Sequence, residues 1–123
     1  MALLDDLESI FIEEYESASI LIKHAKQKSA TVLLSKALFA LVDYLLLKKY
    51  QKFPKSYTER FRLLEAKEKE LYAVVDSVWS KYTDTYSKPS SEEAITLLKN
   101  TIQEIITTNE TNSEKIKAIV GKK

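Results

Sequence analysis

Cysteine is absent from this chain, glycine occurs once, proline twice and histidine once. Each scarcity excludes something. Without cysteine there is no disulfide and no thiolate metal site, which fits a cytoplasmic protein. One glycine and two prolines leave almost nothing from which to build tight strand hairpins. There is also no glycine-rich loop to cradle phosphate, no metal-ligand cluster and no nucleophile elbow, so neither a metal nor a cofactor is expected. An excess of one charge is missing too. Nineteen Lys and Arg oppose eighteen Asp and Glu, a formal net charge of +1, too balanced to imply nucleic acid over the whole surface. Residues 1–10, MALLDDLESI, have no basic n-region and no long apolar core, and are not expected to be a signal peptide.

What is abundant is Leu, Ile, Ala, Lys and Glu at helical spacing, and the expected class is all-α: an antiparallel bundle of four to six helices. The centre of the chain is residues 29–62. Leu33, Leu34, Ala37, Leu38, Leu41, Tyr44 and Leu45 recur at three- and four-residue steps, and Val32, Phe39, Val42 and Leu46 fill much of the remaining circumference. A helix apolar nearly all round is buried on several sides. Lys36 and Asp43 interrupt the run before it reaches about 18 residues, so no membrane span is expected. The helix is read as the centre of a bundle or the seam of a homodimer.

Around it the chain divides as follows. Helix one covers roughly 4–26, with Leu7, Phe11, Ala18, Leu21, Ile22 and Ala25 inward, acids at its start and lysines at its end, as the helix macrodipole favours. Ser29 is a candidate N-cap for helix two, but no Gly or Pro marks the break, and a kinked continuous helix is the alternative. Pro54 makes 51–57 a loop, and Thr58 is placed as the cap of helix three. Residues 59–79 read as helical, with a break or bend in the charged stretch 66–70. Lys88 and Pro89 end the next helix, and Ser90 with Glu93 forms a capping box for the following one, to about Thr107. Residues 1–110 are taken as the bundle, and 111–123 as a short C-terminal helix, stopped by Gly121, with a frayed basic tail.

One cluster stands out from the balanced charge. Lys48, Lys49, Lys52, Lys55, Arg60 and Arg62 fall within fifteen residues against one acid, Glu59, with Tyr50, Phe53, Tyr57 and Phe61 interleaved. Cations meet phosphates and aromatics stack on unpaired bases, which is the chemistry of RNA binding. The alternative is a solvated loop with Phe53 and Phe61 pinning it to the core.

The order of elements has a counterpart. A long amphipathic helix precedes SKALFALVDYLLLKKY. An FPKSYTERFRLLE turn and helix follow, then a helix ending near KYTDTY and the capped helix SSEEAITLLKNTIQEI. Over roughly residues 10–107 this resembles the HEPN superfamily of small helical bundles. The resemblance implies pairing through long helices into a homodimer. It also implies metal-independent ribonuclease or toxin activity in many members, and a nucleotidyltransferase as partner in toxin–antitoxin pairs. The family signature is an Arg followed by a His after four to six residues. Its counterpart here is Lys81 and Tyr86, with four residues between, and Asp84 lies within the interval. Lysine keeps the charge but lacks the guanidinium fork, and a tyrosine does not titrate near neutrality. Lys81, Asp84 and Tyr86 are therefore the catalytic candidates of a divergent ribonuclease. The leading expectation is an interaction protein that binds a protein partner and RNA. Asp43, a carboxylate in an apolar helix, needs a partner. It either pairs with Lys36, pairs across an interface, or faces Lys81 and Asp84 as a pocket carboxylate. His24, on helix one, is read as a surface histidine.

Overall fold

A computed structural model describes residues 2–85, 87–89, 91–109, 111 and 113–121. Six helices account for most of them: α1 (Ala2–Lys23), α2 (Gln27–Tyr50), α3 (Tyr57–Lys67), α4 (Lys69–Asp84), α5 (Glu92–Thr108) and α6 (Glu114–Gly121). No strand occurs among the described residues, and the chain is an all-α bundle. Tyr86, Ser90, Lys122 and Lys123 lie outside the described residues.

The scarcity of glycine shows directly in how the first two helices end. α1 and α2 form an antiparallel hairpin joined by residues 24–26. The chain reverses with Ala25 in the left-handed region, φ 58°. The Lys26 amide donates to the Leu21 carbonyl (2.8 Å) and the Ala25 amide to Ile22 (3.1 Å), the two bonds of a Schellman turn that ordinarily has glycine at this position. Neither a continuous helix nor a Ser29 cap forms. Ser29 lies inside α2, whose first residues follow Lys26 with no side-chain cap. The far end of α2 also closes on a left-handed non-glycine residue, Gln51 at φ 56°, here through the single bond from its amide to the Leu47 carbonyl.

α2 is the axis of the molecule. Between Leu34 and Leu46 every residue but Lys36 is buried. α1 covers one side, and α4 and α5 cover others. Buried hydroxyls on α2 are satisfied within the helix, Ser35 donating to the Thr31 carbonyl (2.8 Å) and Thr31 to that of Gln27 (2.9 Å). By length and composition α2 could cross a membrane, but most of its apolar stretch is buried against the other helices. One chain thus covers α2 by itself, and the apolarity of this helix gives no ground for a dimer.

The remaining boundaries follow local chemistry. Ser56, not Thr58, caps α3: its backbone is extended and its hydroxyl accepts from the Glu59 amide. The sequence Ser56-Tyr57-Thr58-Glu59 is the capping-box spacing, with Glu59 bonding the amide of Lys55 instead of Ser56 (2.7 Å). α3 and α4 are separated by Glu68 alone, inside the stretch where a break is expected. The Glu68 carboxylate accepts from the Tyr50 hydroxyl and pairs with Lys49, tying this joint to the end of α2. α4 stops at Asp84, before Lys88 and Pro89. Ser91 caps α5, accepting from the Ala94 amide, so the cap falls one residue later than the Ser90–Glu93 reading places it. Gly121 is the last residue of α6 and does not stop it from outside. α6 rests on α1: Ser113 donates to Glu8 while accepting from the Ile116 amide, and Ile116 is fully buried.

Candidate nucleic-acid interface

The C-terminal end of α2, the loop 51–56 and α3 form one end of the bundle. Its foundation is an ion pair that sequence spacing does not reveal. Asp43 of α2 accepts two hydrogen bonds from Arg60 of α3, from Nε to Oδ1 and from Nη2 to Oδ2, both 2.7 Å. The side chains are 7% and 10% exposed. The Arg60 guanidinium also lies over the rings of Phe39 (5.2 Å to the centroid) and Tyr57 (5.1 Å). Burial pushes the Asp43 carboxyl above the ordinary carboxylate range, and the hydrogen bonds and charge of Arg60 pull it back only in part. Lys36 is not its partner: that lysine is exposed, and its charge acts on Glu14 of α1. Both Asp43 oxygens are engaged with Arg60 of the same chain, so the carboxylate is satisfied by this ion pair and not by Lys36, a group across an interface, or Lys81.

Beneath and beside the pair is an aromatic cluster. Trp79 of α4 packs against Tyr57 (ring centroids 4.4 Å), Tyr82 (5.5 Å), Phe39 (5.9 Å) and Phe61 (6.2 Å). Phe61 also meets Tyr72 edge-on at 5.8 Å. Trp79 and Tyr82 thus belong to the packing that holds α3 and α4 against α2. Phe61 pins α3 as expected. Phe53 does not pin the loop: it is 38% exposed, and its neighbour Pro54 is buried in its place.

The six cations of the cluster separate into distinct roles. Arg60 is buried and committed to Asp43, so it is not a surface phosphate contact. Lys49 pairs with Glu68 at 3.3 Å. Lys48 is half-buried, with its ammonium 5.6 Å from the centre of the Tyr44 ring. Lys52, Lys55 and Arg62 are exposed. Lys52, Phe53, Pro54, Glu59, Arg62 and Leu63 line a shallow groove of about 400 Å³. Its lining combines apolar Phe53, Pro54 and Leu63 with two cations, Lys52 and Arg62, and one carboxylate, Glu59, which accepts from the Lys55 amide.

The catalytic candidates are placed differently. Lys81 and Asp84 are exposed on α4, and Asp84 stands 4.0 Å from Lys88 in a surface ion pair. Tyr86 lies outside the described residues. His24 is exposed in the turn between α1 and α2. No group of three or more metal-binding side chains occurs among the described residues. Family models, curated proteins and solved structures give no match to this chain.

Proposed function

We propose that this chain is an HEPN-like helical interaction module that binds RNA through the end formed by α2, loop 51–56 and α3, and that it binds without cleaving. The observation that carries this reading is the convergence of Lys52, Arg62 and exposed Phe53 on one groove, with Lys55 beside it. Phosphate attraction and an aromatic face are the two things unpaired RNA asks of a protein. Rigidity comes from below, where the Asp43–Arg60 pair fixes α3 to α2.

Binding is favoured over cleavage on chemical grounds. Phosphodiester cleavage at neutral pH calls for a group that exchanges protons near neutrality and a donor aimed at the developing charge. Lys81 and Asp84 lie open to solvent, and Asp84 has Lys88 beside it. Self-association into a homodimer belongs to the same proposal, and the outer face of α1 offers Ile10 and Ile20, 46% and 58% exposed. Light scattering that returns the monomer mass at micromolar concentration removes that part.

The test of RNA binding is its salt dependence. If Lys52, Lys55 and Arg62 each neutralise one phosphate of a single strand, log K falls with log salt at a slope of about −2.1. Affinity then drops about 20-fold between 50 and 200 mM salt. Fluorescence anisotropy with a labelled RNA measures it. No binding at 50 mM salt, or binding indifferent to salt, refutes the proposal.

A further inference from the structure

We infer that the groove lined by Lys52, Phe53, Pro54, Glu59, Arg62 and Leu63 is a subsite for one unpaired nucleobase, so that the RNA taken up is single-stranded. This rests on the RNA reading above and adds the form of the ligand.

Four features of the groove lead there. Phe53 presents an aromatic ring to solvent at a position where the chain has an alternative: Pro54, one residue on, is buried and anchors the loop. Exposure of Phe53 is therefore not the by-product of a loose loop. Pro54 and Leu63 give the groove an apolar lining beside the ring, suited to the flat face of a base and not to a phosphate. Lys52 precedes Phe53 directly and Arg62 enters from α3, so cations from both the loop and the helix rim the site. The fourth feature is Glu59, whose carboxylate is held by the Lys55 amide at 2.7 Å. A carboxylate repels phosphate but accepts hydrogen bonds from the N–H groups on a base edge. The groove thus offers each part of a nucleotide a counterpart, cations for the phosphates and an aromatic and apolar lining for the base.

Duplex RNA cannot use such a site. Its bases are stacked on one another, and the major groove of the A-form helix is too deep and narrow for side chains to reach them. An acidic peptide could use the cations but has no flat face for Phe53 and meets Glu59 as a like charge.

The test uses the full chain, a labelled ten-nucleotide single strand, its duplex, and polyglutamate of matching length. Two variants are compared with the natural protein, Phe53→Ala and Lys52→Ala/Arg62→Ala. Circular dichroism and the fluorescence of Trp79, the one tryptophan, check that each variant is folded. The single strand is expected to bind more tightly than the duplex and than polyglutamate. Phe53→Ala is expected to weaken single-strand binding about 5- to 150-fold, the range of one lost base–aromatic stack, with the salt slope unchanged. The double variant is expected to flatten the slope by about 1.4. Salt-dependent binding that persists unchanged in Phe53→Ala, or that is equal for duplex and single strand, overturns the subsite while leaving RNA binding in place. Equal binding of polyglutamate makes the surface a general anion patch and overturns it as well. Absence of any RNA binding at low salt removes both readings together.

Discussion

Replacing Arg60 with alanine should be among the most damaging single changes in α3, and its partner explains why. The two groups meet through parallel 2.7 Å hydrogen bonds with little access to water. Opposite unit charges about 4 Å apart attract by roughly 4 kcal/mol at the effective dielectric of a protein site. Removing one partner of a buried pair typically costs about 3–5 kcal/mol, because the other charge stays behind unpaired. Against a typical total stability of about 5–15 kcal/mol, Arg60→Ala should lose a large share. Replacing both, as Asp43→Asn/Arg60→Met, removes the stranded charge and should cost far less than the sum of the single changes. Urea unfolding followed by Trp79 fluorescence and circular dichroism measures each arm of this cycle. A pH series adds the sign. Asp43 has a raised pKa in the folded chain, so protonation favours the folded state. Its contribution is fully present below the ordinary carboxylate pKa and is lost as pH rises through the raised folded value. Without Arg60 both influences that lower the pKa disappear. The Arg60→Ala deficit should therefore shrink as the solution is acidified from pH 7 toward pH 5. A deficit under about 1 kcal/mol at pH 7, or one that grows on acidification, refutes the role given to this pair.

Further outcomes follow from the same geometry. Ala25→Gly should stabilise the protein by about 1 kcal/mol, since a left-handed alanine costs about 1–2 kcal/mol that glycine avoids, partly offset by a more flexible unfolded chain. A lower melting temperature would show that Ala25 is not strained. Leu38→Ala, at a fully buried position on α2, should cost about 2–5 kcal/mol in the same urea assay, and a loss under about 1 kcal/mol would mean that α2 is not the packed axis. Metal-free incubation with single-stranded and structured RNA should give no cleavage that depends on Lys81 or Tyr86. Robust cleavage abolished by Lys81→Ala or Tyr86→Phe would make the chain a nuclease.

Helix class, the dominance of α2 and the joint near Glu68 are legible in the sequence because periodicity and charge act locally. Helix ends are less so. A chain with one glycine cannot signal its turns with glycine, and Ala25 and Gln51 carry the left-handed positions without a compositional mark. Ser90 and Ser91 are equivalent on paper, as are Ser56 and Thr58 until the extended backbone at Ser56 is known. At the candidate site, the basic and aromatic cluster is visible in sequence, but its division of labour is not. Asp43 and Arg60 are seventeen residues apart on different helices, and only their packing turns a charge in an apolar helix and a cation in a basic run into one buried unit. The exchange of roles between Phe53 and Pro54 is likewise set by how the loop lies on the bundle. Pro54 does reveal the loop, since it restricts Phe53 to extended geometry, but it does not say which side chain turns inward.

The most direct measurement is an amide-resolved nuclear magnetic resonance titration of the full chain with a short single-stranded RNA at low salt. Binding at the proposed end predicts shift changes concentrated in residues 48–63, strongest around Phe53 and Arg62, and reversed by added salt. Changes centred on the outer face of α1 or on α5, or none at all, would contradict it.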